Sequence, residues 1–115
     1  MKKLLCIISN NPFEGSKVIE QLEAAMVAAV FDFDVSVLFT GNGMNCLREY
    51  QNGDLIGARS PGKLISGLDM YEINNLFACA EAVSSQKIPK NVQIIDLQEQ
   101  RTLIEAQDFV LGGAA

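Results

Sequence analysis

Three cysteines, at positions 6, 46 and 79, carry most of the chemistry open to this 115-residue chain. A cysteine thiolate is a nucleophile and can hold a second sulfur without help from a metal or cofactor. There is no histidine, which removes Ser–His, Cys–His and histidine–metal mechanisms. No two cysteines stand close in sequence, so neither a CxxC redox pair nor zinc-ribbon spacing is present, and no metal or cofactor is expected. The carboxylate pairs Asp32/Asp34 and Asp96/Glu99 have solvated turns as their ordinary explanation. The loop Ser9-Asn10-Asn11-Pro12-Phe13-Glu14-Gly15-Ser16 could cradle a phosphate, as flavodoxin-like folds do for a flavin mononucleotide. It is neither GxGxxG nor a Walker loop, and with Glu14 and a single glycine it reads better as a turn with a helix cap.

These residues need elements to hold them. Lys3 to Ser9 is a short apolar run without helical period, ended by Asn10-Asn11-Pro12, and reads as a parallel strand buried on both faces. Ser16 or an earlier loop residue can cap the helix expected over 17–31. Val18, Leu22, Ala25, Met26, Ala29 and Val30 form its apolar stripe, Lys17, Glu20, Gln21 and Glu23 its wet side, and Asp32 interrupts it. Val35 to Phe39 is a second strand. A turn at Thr40-Gly41-Asn42-Gly43 leads to a short helix over 44–50 with Met44 and Leu47 inward. Residues 51–62 read as loop, with a helical turn over 63–67. Ile73 to Ala78 is the third strand and 79–86 a helix. Val92 to Leu97 is the fourth strand, 98–106 a helix with Leu103 and Ile104 apolar, and Phe109 to Leu111 a final strand. Residues 112–115 form a tail.

Strand and helix alternate at a spacing that implies one domain, a three-layer α/β/α fold around a five-stranded, mostly parallel sheet. A hydrophobic share of 49% against 20% charged residues argues against disorder. The net charge of −5 argues against direct nucleic-acid binding and against docking on an anionic membrane. No apolar stretch approaches the ~18 residues of a membrane span. Lys2-Lys3 before Leu4–Ile8 mimics a signal peptide, but the apolar run is too short and no cleavage site follows. A cytoplasmic protein with reduced thiols is expected.

In an open α/β sheet, ligands and chemistry gather beyond the C-terminal ends of the strands. That singles out Ser9 to Ser16, Thr40 to Gly43, Cys79 with its neighbours, and Leu97 to Gln100. Cys6 lies inside Leu4-Leu5-Cys6-Ile7-Ile8 and belongs to the core. Cys46, on the short helix, is expected to be half exposed and lacks a strand-end position. Cys79 stands where a strand gives way to a helix, and unpaired N–H groups at a helix start favour a thiolate. The competing reading is a small buried residue, since free cysteine is among the most buried types.

Several pieces in order resemble the DsrE/DsrF-like sulfur-relay family, most of all its TusC/DsrF branch. They are Ser9 to Gly15; Val37-Leu38-Phe39 with Asn42-Gly43-Met44 and Leu47; Ala58-Arg59, Lys63-Leu64 and Gly67-Leu68; Tyr71-Glu72-Ile73 leading into Leu76-Phe77-Ala78-Cys79-Ala80; and Asp108 to Leu111. The resemblance implies a DsrE-like domain over 1–111, a cytoplasmic oligomer of itself or with other relay subunits, and traffic of persulfide sulfur between donor and acceptor proteins, for tRNA 2-thiouridine formation or sulfur oxidation. It implies Cys79 as sulfur carrier, by match to the carrier branch. Val83-Ser84-Ser85-Gln86-Lys87 departs from the basic, Gly-ended segment of that branch, and the TusC/DsrF branch implies a non-catalytic, complex-building subunit. A flavodoxin-like nucleotide-binding protein is a further alternative.

Overall fold

The computed structural model describes residues 1–11, 16–47, 61–80 and 89–112. Five parallel strands form one sheet: β1 (Lys3–Ile8), β2 (Asp34–Phe39), β3 (Asn75–Cys79), β4 (Val92–Ile95) and β5 (Phe109–Gly112). Their spatial order is β4-β3-β2-β1-β5. The first three connections step in one direction across the sheet, and the last returns past them all to the far side of β1. With right-handed crossovers that reversal places the first connections on one face and the last on the other.

The two cores bear this out. The larger one gathers Cys6, Ile8, Val37, Phe39, Leu76 and Ala78 with Val18, Leu22 and Ala25 of α1 (Lys17–Val30). Met44, Cys46 and Leu47 of a helical turn also pack there, as does Ile65 of α2 (Pro61–Ser66). The opposite face holds Leu5, Leu38 and Ile95, with Ile7, Phe77 and Leu103 packed against them. Leu103 belongs to α3 (Leu97–Glu105), the helix of the last connection. Neighbouring strand residues alternate between the two cores, as the pleat requires.

Helix α1 ends one residue before the expected limit. Asp32 takes φ 69°, with its N–H on the Ala29 carbonyl while the Phe33 N–H reaches back to Ala28. This is a Schellman closure with aspartate in the place usually held by glycine. Two residues of α1 depart from expectation. Val30 is 65% exposed and Gln21 only 8%, because the inward stripe follows Val18, Gln21, Leu22 and Ala25 and leaves the last turn outside. Ser16 occupies the N-cap position without a side-chain cap bond. Its hydroxyl donates instead to the Glu20 carboxylate at 2.5 Å.

β3 starts at Asn75, two residues later than expected. A 3₁₀ turn over Leu68–Tyr71 ends at Glu72 with φ 62°, and the Ile73 N–H is still committed to the Leu68 carbonyl at 3.1 Å. β4 ends at Ile95, before Asp96 and Leu97. Asp96 caps α3: its side chain accepts from the Glu99 N–H at 2.8 Å, and Glu99 returns the bond to the Asp96 N–H at 3.0 Å. The pair read as solvated turn carboxylates is therefore a capping box.

β5 includes Gly112, one residue past the expected strand end. Gly112 has φ 82°, and a Cβ there would lie 2.0 Å from Gln21 Nε2, so only glycine closes this corner. The strand is tied to β1 by Lys3 N–H on the Asp108 carboxylate at 2.7 Å and Asp108 N–H on the Lys3 carbonyl at 2.9 Å. The expected helix over 79–86 beyond Ala80, the short helix beyond Leu47, most of the loop over 51–62, most of Pro12 to Ser16 and the tail beyond Gly112 lie outside the described residues.

Candidate functional site

The C-terminal ends of β1, β2 and β3 lie side by side through the register pairs Ile8 with Phe39 and Phe39 with Ala78. This edge brings the first three sequence candidates together. Thr40 donates its N–H to the Ile8 carbonyl at 3.0 Å, and the turn after it runs so close that a Cβ on Gly43 would sit 1.9 Å from that same oxygen. The helical turn then packs on the residues after β1: Asn45 donates to the Asn11 side chain, and the Cys46 thiol points at the Asn10 carbonyl, 3.9 Å away. Cys46 is fully buried, not half exposed as its amphipathic setting suggested. The turn is held inward by Met44, Leu47 and Cys46 alike.

Cys6 lies in the larger core with its thiol toward the Gln21 carbonyl at 3.7 Å. Burial pushes this thiol up to about 12, because ionising it would place a charge among apolar side chains. It is the structural cysteine the sequence suggested.

Cys79 is different. It is the last residue of β3 and pairs in register with Ile95 at the end of β4. It stands two residues after Phe77 and so faces the α3 side of the sheet. Its exposure is 9%, which puts the sulfur just beneath the surface at the strand end. The helix start expected to activate it falls beyond the described residues. What the structure places there instead is Gln100, whose Nε2 donates to Cys79 Sγ at 3.1 Å. The same nitrogen donates to the Ile95 carbonyl at 3.4 Å.

Gln100 is 7% exposed and belongs to the first turns of α3. Sequence reasoning marked Leu97 to Gln100 as a strand-end segment but took Leu103 and Ile104 as the inward positions of the helix. Ile104 is 39% exposed, and the inward row runs through Gln100 and Leu103. The available signal was the spacing of three between these two residues, obscured because one of them is polar. Beside the pair, a groove of about 330 Å³ runs between sheet and helix, lined by Phe77, Gln93 and Ile95 on one side and Gln98, Thr102 and Leu103 on the other.

The fourth candidate segment and the third thus meet: a cysteine at a strand end and a buried amide donor from the following helix. Chemically this arrangement suits a sulfur that gains or passes on another sulfur. A sulfur bearing charge accepts an N–H bond better than a neutral thiol does.

Comparison with known proteins agrees over the whole chain. A model of the DsrE/DsrF-like family matches residues 2–111. A TusC homolog of Aliivibrio fischeri is 26% identical over 97 residues, covering 84% of this chain and 82% of the relative. A TusC homolog of Pseudomonas aeruginosa is 24% identical over 115 residues, covering 96% and 97%. The crystal structure of the YchN protein from E. coli superposes with a TM-score of 0.79 at 15% identity, over 96% of this chain and 98% of that one. That likeness is one of fold.

Proposed function

The chain belongs to the DsrE/DsrF-like family, and from that membership we propose that it is a cytoplasmic subunit of a sulfur-relay complex in which Cys79 carries the sulfur. The observation that carries the reading is the position of Cys79: the end of a central strand, just under the surface, with a buried amide donor on its sulfur. The relay step is an exchange between thiols. The Cys79 thiolate attacks the outer sulfur of a donor persulfide. The donor S–S bond breaks, its electron pair leaves with the donor sulfur, and that sulfur takes up the proton Cys79 has lost. Cys79 then holds a persulfide and the donor a thiol, with no net oxidation. Delivery to an acceptor thiol repeats the exchange, and 2-thiouridine formation in tRNA is the destination suggested by the likeness to proteins named TusC homolog.

The decisive measurement is mass spectrometry after incubation with a cysteine desulfurase and cysteine. An added 32 Da (the mass of one sulfur) on the peptide holding Cys79, absent in Cys79→Ser, is the expected result. Labelling that ignores that substitution would sink the carrier role.

A second reading, a complex-building subunit without its own sulfur chemistry, is favoured by a separate observation. On the outer side of α1, Val27 (56% exposed) and Val30 stand near Tyr71 around a cleft of about 480 Å³. Exposed apolar residues grouped in this way suit burial between subunits. The two readings are compatible.

A further inference from the structure

We propose that Gln100 is a working part of the Cys79 site: its side-chain N–H holds the Cys79 sulfur in the orientation that receives and keeps the transferred sulfur. The inference rests on the sulfur-carrier reading above and extends it to a second residue.

The argument begins with cost. An amide buried to the extent of Gln100 must satisfy its polar atoms or lose stability. An apolar residue would serve the inward face of α3 better if packing were the only demand, since Leu103, next on that face, packs into the small core. A neutral thiol is a weak acceptor and repays a buried N–H poorly, whereas a thiolate or persulfide anion accepts strongly. The pairing at 3.1 Å is therefore better matched to the charged sulfur of the relay than to a resting thiol.

The geometry is also fixed from two sides. Nε2 carries two hydrogens. The Ile95 carbonyl, which can only accept, takes one at 3.4 Å, so the nitrogen and not the oxygen of the amide must face this corner. The second hydrogen then falls on Cys79 Sγ. Ile95 is the register partner of Cys79, so donor, strand end and sulfur are locked to one another. The Asp96–Glu99 capping box sets the first turn of α3 and with it the height of Gln100 above the sheet.

The test uses near-isosteric replacements. Gln100→Met keeps the volume and removes the donor; Gln100→Glu keeps the shape and offers only acceptors when ionised. Two rates are read on folded protein: alkylation of Cys79 by iodoacetamide, mapped by mass spectrometry, and persulfide loading from a desulfurase. Gln100→Met is expected to slow alkylation of Cys79 about tenfold at a Tm within a few degrees of wild type, and Gln100→Glu to slow it further. Unchanged alkylation in Gln100→Met, at an unchanged Tm, overturns the proposal and leaves Gln100 as packing. If Gln100→Met fails to fold, the Gln100→Glu rate decides in the same way. Failure of the wild type to load sulfur at all refutes the carrier reading instead, while the alkylation rates still decide whether Gln100 acts on the sulfur.

Discussion

At the scale of single residues, the structure separates three thiols that differ little in sequence context. Cys6 and Cys46 are wholly enclosed, and Cys79 alone sits at a strand end against a polar donor. The raised value of Cys6, about 12 against an ordinary 9.0, has a consequence for stability. In the unfolded chain this thiol ionises near its ordinary value; in the fold it stays protonated. Between these limits the unfolded state holds fewer protons than the native one, so alkaline pH favours unfolding. The stabilisation is complete below about pH 9 and is lost as the pH rises toward about 12. Urea melts should show stability falling over that range, and Cys6→Ala, although less stable at neutral pH by roughly 1 kcal/mol or more for the void it leaves, should fall less steeply. An equal slope in both proteins would show that another group governs the alkaline limb.

At the scale of elements, the capping box is where stability and the sulfur site meet. Asp96→Ala should cost about 1 kcal/mol of stability and also slow alkylation of Cys79, because Gln100 rides on the turn that Asp96 anchors. Thermal melting and mapped alkylation on the same protein check both halves, and a melt lowered without any change in alkylation would uncouple them. Much at this scale was legible in the sequence. The strands have compact apolar runs, the turns carry Asn, Gly and Pro, and their alternation dictates the parallel sheet. Cys79 at the end of the third strand was legible for the same reason. Boundaries were less so. Ile73 is apolar and buried but belongs to the 3₁₀ closure before β3, and the hydrophobic pattern alone does not distinguish the two. Asp96 ended β4 earlier than the apolar run suggested, through a side chain-to-backbone bond that a count of apolar residues does not include. Gln100 was hidden because amphipathic reasoning assigns polar residues to water, and its orientation is decided by partners on two distant strands.

At the scale of the molecule, the reversal in strand order leaves the two faces unequally clad. Among the described residues no helix is long and apolar enough to cross a membrane, and the exposed apolar surface clusters instead. Val30 (65% exposed), Phe31 (72%) and Met70 (84%) extend the patch around Val27 and Tyr71. In solution the protein should associate, with itself or with other subunits of its complex. Light scattering at micromolar concentration should give more than the mass of one chain, alone or after mixing with relay subunits. Val30→Glu should abolish the association and leave the Tm within about 2 °C, as for a surface change. A chain that stays single under both conditions would argue against the oligomeric reading.

The placement of β5 beside β1 also sets a timetable. A chain made from its N-terminus emerges from the ribosome with β1 to β4 before α3 and β5, at roughly 5–20 residues per second. Until residues 109–112 arrive, one edge of β1 has no neighbour, and the face of the sheet that α3 covers is bare. Gln100 follows Cys79 by 21 positions, so the thiol exists for a second or more before its donor can reach it. Newly made protein thus passes through an interval in which Cys79 lacks the amide that later holds it, and competence to handle sulfur begins with the docking of α3.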